Sequence, residues 1–222
     1  MQYFNQDFLE FFKELAENNT KEWFDTNRKR YEKEVKEPFT KFVEEMIYRV
    51  QKIDNDVFIR PMDAIYRINK DIRFSKDKSP YKIQMSANIS KFGKKDKSYP
   101  CFYFQFSPDD VMVYGGSYMV EKETLESIRY YIAENHEEFK KVYSGKYFVE
   151  KYGTIQGEKN KRIPEDFIDI VKTEPLIANK QFYFGAALNP ELVLQPFLPD
   201  VLMEYYMAGR EVNGFLRQAY GK

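Results

Sequence analysis

The sequence predicts an α+β fold: an antiparallel sheet built from hairpins, packed by N-terminal helices and a C-terminal helix. Three observations carry this. The first quarter of the chain places apolar residues at helical spacing. The middle carries extended, aromatic-rich runs separated by turn residues. The last twenty or so residues return to a helical stripe. Helices, then hairpins, then helices differ from the alternation that a parallel β-α sheet requires.

Taken in order, Asn5 is placed to cap a first helix, with Phe8, Leu9, Phe11, Phe12, Leu15 and Ala16 on one face. Asn18 and Asn19 are expected to end it, because Asn tolerates the left-handed conformation. Thr20 is expected to cap the next helix, where Glu22 suits the dipole and Trp23, Asn27 and Tyr31 share a face. Pro38 either opens a third helix or kinks the second. Beyond it Phe39, Phe42, Val43, Met46, Ile47, Val50 and Ile53 form a long apolar stripe. Residues 63–68 and 84–91 then read as strands, and 93–98 as a charged turn. Residues 101–107 give the clearest strand. Residues 107–110 are turn chemistry, and 111–114 return as the partner strand. Gly115 and Gly116 end that strand and permit close backbone approach.

Helical signals resume at Glu121, with Leu125, Ile128, Arg129 and Ile132 on one face, and continue over 137–143. Residues 147–162 are Gly-interrupted and ambiguous, 164–172 read as helical, and 181–188 as a late strand. Residues 199–220 form the closing helix, weakened at Gly209. No repeat, low-complexity tract or linker appears, so 1–222 is expected to be a single domain.

Composition narrows the function classes. Lys plus Arg number 35 and Asp plus Glu 35, so no overall charge drives the chain toward nucleic acid or acidic membranes. Aromatics are 18%, enough to line a sheet or groove with rings. Cys101 is the only cysteine, which excludes an internal disulfide and cysteine-based zinc sites. No metal and no cofactor are expected: no P-loop or dinucleotide fingerprint is present, and the acidic pairs are adjacent rather than convergent. A magnesium site assembled from distant aspartates, Asp71 and Asp77 included, is the weaker alternative. The start, MQYFNQDFLEFF, lacks the pattern of an export signal, and no run approaches about 20 apolar residues. The expectation is a cytoplasmic protein with no membrane partner. The sequence sets no oligomeric state.

One segment departs from this even charge. Residues 67–82, RINKDIRFSKDKSPYK, gather Arg67, Lys70, Arg73, Lys76, Lys78 and Lys82 against Asp71 and Asp77. In an extended backbone Arg73 and Ser75 project to one side and Phe74 to the other, where it is expected to anchor the loop in the core. A guanidinium fork beside hydroxyls and backbone N–H groups suits a phosphate or carboxylate. The predicted ligand-binding set is Arg67, Arg73, Ser75, Lys78, Tyr81 and Lys82, with Trp23 and Asn27 as a ring-walled pocket and Arg129 as a further wall. Asp71 and Asp77 are the candidate acid or base, if chemistry occurs at all. The structural alternatives stand beside this. The aspartates pin the loop through ion pairs, Asn27 bonds the backbone of residues 70–80, Trp23 and Tyr31 are core, and Arg129 pairs with Glu126 or Glu174. His136, the lone histidine, reads as an exposed helix-start residue. Cys101 reads as a buried, inert thiol.

The motif R-F-S-K-D-K-S-P-Y-K, residues 73–82, resembles the signature of a widespread uncharacterised family, domain of unknown function 2461. N-N-T-K-E-W-F at 18–24 and Tyr114-Gly115-Gly116 extend the resemblance, with weaker similarity at Lys161-Arg162-x-Pro164 and Lys180-x-Phe182-Tyr183. The resemblance implies one unit of about this length and transfers no activity.

Three functions follow in order. The first is a domain that binds a small anionic, phosphate- or carboxylate-bearing molecule in a basic, aromatic-lined cleft, with no reaction specified. The second is a non-catalytic interaction or scaffold protein whose basic motif is a structural ion-pair network. The third, disfavoured by the zero net charge, is a nucleic-acid binder. It would use Lys91, Lys94, Lys95 and Lys97 with rings at Tyr99, Phe102, Tyr103, Phe104 and Phe106.

Overall fold

The computed structural model describes residues 1–220. Helix α1 (Gln6–Glu17) starts after Asn5, whose backbone is extended as a cap requires. The Asn5 side chain, however, donates to Glu34 Oε2 at 2.8 Å rather than capping the helix. Asn18 ends α1 without entering the left-handed region: its φ is −127°, and its Nδ2 donates back to Glu14 O. Thr20 caps α2 (Lys21–Thr26), with Oγ1 accepting from Trp23 N.

The next helix is continuous. It begins as α3 (Arg28–Arg30), widens into a π-helical turn (Tyr31–Lys36) and continues as α4 (Glu37–Gln51). Pro38 explains the widening. Proline lacks an N–H and its ring collides with the carbonyl four residues back, and a π turn relocates those carbonyls without breaking the helix. Pro38 therefore sits in the first turn of α4, and the backbone before it stays helical.

The chain then turns through α5 (Pro61–Ala64). This corrects the strand expected over 63–68. Pro61 suits a first helical position, and Asp63 Oδ2 accepts from Arg60 N, which fixes a helical start where a ladder was expected. The strand survives only as isolated antiparallel bridges, Ile65 with Ala87 and Asn69 with Tyr81.

The sheet comprises β1 (Met85–Ile89), β2 (Cys101–Phe106), β3 (Val111–Ser117) and β4 (Phe182–Leu188), antiparallel in sequence order. The 107–110 turn between β2 and β3 is tied by Ser107 Oγ, which accepts from Asp109 N and Asp110 N. Helices α6 (Lys122–Glu134), α7 (His136–Ser144) and α8 (Lys146–Tyr152) follow β3. The helix expected over 164–172 is two short pieces, a 3-10 turn and α9 (Ile170–Thr173). The closing helix is α10 (Leu198–Gln218). No helix among the described residues is long and apolar enough to cross a membrane.

Two compact units emerge. The first comprises Met1–Lys94, Tyr103–Val113 and Ala187–Met203. Its core is phenylalanine-rich: Phe4, Phe39 and Phe42 close on Phe106 of β2 at 5.3–5.6 Å between ring centroids. Alternation along β2 buries Phe104 and Phe106 on this side and turns Tyr103 and Gln105 to the other.

The second unit comprises Lys95–Phe102, Tyr114–Ala186 and the chain from Glu204. Ile128, Ile132, Phe139, Phe148, Phe182, Phe184, Val212 and Phe215 are among its core residues. The Phe184 ring sits in a slot where a Cβ at either Gly115 or Gly209 would intrude. Gly209, a weakness when read as helix propensity, is thus a packing requirement of α10. From the same helix, Asn213 donates to Cys101 O at 3.0 Å and accepts from Gly116 N at 2.8 Å, clipping the ends of β2 and β3 together.

Strands β2, β3 and β4 each run from one unit into the other. On that covalent continuity we propose a single folding domain. The expected result is one denaturant transition, with Trp23 fluorescence, which reports the first unit, coinciding with far-UV circular dichroism, which reports both. A dichroism step that Trp23 does not share would divide the chain into two.

Candidate functional site

In the first unit, residues 67–82 form a surface excursion closed at its base. Lys70 N donates to Pro80 O and Lys82 N to Ile68 O, each at 2.8 Å, around the Asn69–Tyr81 bridge. The base is held from α1–α2. Asn19 grips the Tyr81 backbone at both ends, Nδ2 to Tyr81 O at 2.9 Å and Oδ1 from Tyr81 N at 3.1 Å, and the Tyr81 ring stacks on Phe24 at 4.0 Å. A loop whose ends meet and whose side chains bond to each other keeps its shape without a buried core.

Both aspartates do internal work. Asp71 takes the Arg73 fork in two bonds, Nε at 2.9 Å and Nη2 at 2.7 Å, and that pair holds its carboxyl below the usual range. Asp77 accepts from Lys70 Nζ at 2.7 Å, Ser79 N at 2.8 Å and Ser79 Oγ at 2.7 Å. Those bonds, the Lys70 ammonium first, hold Asp77 far below the usual carboxylate range. Lys78 donates to Ile72 O at 3.0 Å. Carboxylates held ionised in this way shape the loop and are poorly matched to proton transfer near neutral pH.

The depressed Asp77 pKa sets a pH window. Its bonds are fully present above the aspartate value of an unfolded chain, about 3.9, and are lost as pH falls through the lower folded value. The Ser79 amide resonance is therefore expected to hold from neutrality to about pH 4 and to move only below it. A midpoint at or above about 4 would show that the carboxylate is not engaged.

The remaining cations face outward. Arg67 and Lys76 are exposed and make no hydrogen bond or ion pair among the described residues, although the Arg67 charge helps hold Asp71 ionised. The Arg73 side chain is 76% exposed despite its partner. Phe74 is 96% exposed and anchors nothing, which corrects the expectation that it reaches the core. The reason is local: Asp71 and Asp77 fix the turns on either side and leave the tip outside. Ser75 is half-buried.

Beside the loop base, the Lys82 ammonium lies 5.5 Å from the Tyr66 ring centroid, and Tyr66 lies 6.0 Å from Tyr103 on the non-core side of β2. The Tyr103 hydroxyl donates to Gln105 Oε1 at 3.0 Å.

Other predicted residues lie apart from the loop's own contacts. Asn27 does not bond the loop; its Nδ2 donates to Trp23 O at 3.0 Å. Trp23 is half-buried, with its ring 5.5 Å from Phe11, and Tyr31 is buried, so that α-helical face is core. Burial pushes the Tyr31 hydroxyl up to about 12. Arg129 belongs to the second unit, where its Nε donates to Ile177 O at 3.0 Å and its Nη2 to Asn179 O at 3.1 Å. The carboxylate partner expected for it is replaced by these carbonyls. Glu174 instead accepts from the Tyr143 hydroxyl and Leu176 N. Phe102, Phe104 and Phe106 are buried and offer no stacking face. Burial pushes the Cys101 thiol up to about 12. Among the described residues no three His, Cys, Asp or Glu side chains gather as metal ligands.

Asn19, read in the sequence as a helix terminator, is the side chain that holds the base of this candidate loop. An open hollow of about 410 Å³ lined by Met1, Tyr3, Lys41, Glu44, Glu45 and Tyr48 carries paired glutamates, the wrong sign for an anion.

A protein-family model described as "Conserved hypothetical protein (DUF2461)" matches residues 7–215. No curated protein and no solved structure matches the chain.

Proposed function

Because the chain belongs to the DUF2461 family, whose description names no activity, we propose its function from its own geometry: it binds a small phosphate- or carboxylate-bearing molecule at the 67–82 loop. The observation that carries this reading is the division of labour inside the loop. Two aspartates fix its shape, while Arg67 and Lys76 stand outside any ion pair among the described residues. The Arg73 fork is also available. An exposed ion pair is worth only about 0–1 kcal/mol, so a dianionic phosphate can displace Asp71 from it at small cost. No reaction is assigned to Asp71 or Asp77.

The test is thermal unfolding with pyrophosphate at low ionic strength. Binding to the folded state raises Tm by mass action, and salt reverses the gain. Arg67→Ala is expected to abolish the gain while leaving the ligand-free Tm unchanged. A flat response to pyrophosphate, phosphate and citrate would end the proposal.

The structural reading has its own supporting observation, the saturation of Asp71 and Asp77. Under it, Arg73→Ala lowers the ligand-free Tm and no anion raises the Tm of the unaltered protein. The exposure of the Arg73–Asp71 pair argues against it, since such pairs contribute little to stability.

A further inference from the structure

Resting on the anion-binding reading, we propose that the phosphate met by the 67–82 loop belongs to an anionic lipid bilayer: Phe74 enters the acyl boundary while the loop's cations meet the headgroup phosphates. Phe74 carries the argument. It stands on an excursion closed at its base by the Asn69–Tyr81 bridge, and it is 96% exposed. The Arg73 guanidinium carbon lies 5.9 Å from its ring centroid, at the outer limit of a cation–π contact, and leaves the ring uncovered. Residues 67–82 set six cations against two aspartates, so a positive surplus surrounds the ring even with both aspartates paired.

Charge singles out this ring. Phe58 is nearly as exposed, at 89%, but Asp54 and Asp56 precede it and the neighbouring Arg60 is paired with Asp63. The loop is also held in shape. Arg73 bonds Asp71, Lys70 and Ser79 bond Asp77, and Lys78 donates to Ile72 O, so the ring is displayed with little ordering left to do on binding. A bilayer suits such a convex tip. A stable protein partner covers about 800 Å² on each side, more than one surface loop presents, whereas a headgroup layer yields to the ring and needs no matching pocket. The long basic side chains stay at the phosphates while the ring goes deeper. The expectation of no membrane partner rested on zero net charge and the lack of a spanning segment, and a peripheral contact through a local cluster requires neither.

The experiment is co-sedimentation of the full chain with vesicles of phosphatidylcholine alone and of phosphatidylcholine with phosphatidylglycerol, beside thermal unfolding with pyrophosphate. Binding is expected only to the anionic vesicles, and salt should weaken it. Phe74→Ala should lower vesicle affinity roughly 10-fold and leave the pyrophosphate gain in Tm intact, while Phe74→Leu retains most of the affinity. Lys76→Ala should cost about 5-fold on the anionic vesicles. Because Phe74 anchors nothing, these variants are expected to fold. In Phe74→Trp, brominated acyl chains should quench the new indole but not Trp23 of the unaltered protein. Vesicle binding that Phe74→Ala leaves unchanged overturns the insertion. A pyrophosphate response without vesicle binding overturns the lipid inference and leaves the anion reading standing, whereas neither response overturns both. Concentration-dependent self-association that Phe74→Ala abolishes, with no vesicle binding, replaces the bilayer with a second copy of the chain.

Discussion

Gly116→Ala is expected to cost about 3 kcal/mol or more, seen as a fall in Tm of roughly 6–12 °C. Two penalties combine. Gly116 has φ +87°, a conformation that L side chains rarely adopt. The added Cβ would also run into the Phe182 carbonyl and approach Tyr183 Cα to 2.8 Å. These are backbone atoms of the adjacent strand, so no side-chain rotation relieves the contact, and the β3–β4 pairing must move. That movement also pulls Gly116 N from Asn213 Oδ1, undoing one end of the amide clip. Gly214→Ala provides the contrast. It lies in α10 with nothing within 4 Å of an added Cβ, so the gain in helix propensity should leave the protein unchanged or stabilise it by up to about 1 kcal/mol. If Gly116→Ala matched Gly214→Ala in thermal unfolding, the close approach of β3 to β4 would not be a constraint on this fold.

The pair Gly115-Gly116 shows how much was legible in the sequence. Two adjacent glycines after an alternating apolar run announce close approach, but β3 runs through both to Ser117 instead of ending at them, and the approaching group is remote in sequence, so only the fold identifies it. The same limit runs through the chain. Periodicity located α1, β2 and α10, because one apolar face per element is enough to specify them. It failed at residues 63–68, where Pro61 and the Arg60–Asp63 bonds outweighed β-type residues. The basic motif was conspicuous and its ion pairs were foreseen as an alternative. The outward placement of Phe74 was not, since a phenylalanine carries no local sign that its neighbours' carboxylates have fixed the loop outside the core. Asn19 was read as a helix terminator because its partner is the backbone of Tyr81, and a backbone partner leaves no trace in residue types. Asn213 was hidden for the same reason on an otherwise apolar face of α10.

Arg129→Met is the second substitution expected to have a large effect, about 2–5 kcal/mol of lost stability. Arg129 lies in α6 between Ile128 and Ile132, is 5% exposed, and donates to Ile177 O and Asn179 O. Methionine fills much of the space but donates nothing, so two carbonyls lose a charged donor where water does not readily replace it. Burial pulls the Arg129 pKa down, with Glu126 opposing, yet a guanidinium starts so high that it stays charged through the neutral range. Arg129→Lys should recover only part of the loss, because an ammonium is a point donor and the two carbonyls are met by a planar fork. The measurement also separates two roles for this residue. If Arg129 holds the 177–179 segment in place, denaturant midpoints fall in the order wild type, Lys, Met, and pyrophosphate binding follows the folded fraction. If it is instead a wall of the anion site, Arg129→Met keeps its stability within about 0.5 kcal/mol and loses pyrophosphate, and the two carbonyls must be satisfied by other donors. The hydrogen bonds to Ile177 and Asn179 favour the first outcome, since a guanidinium already committed to two buried acceptors has little left to offer a ligand.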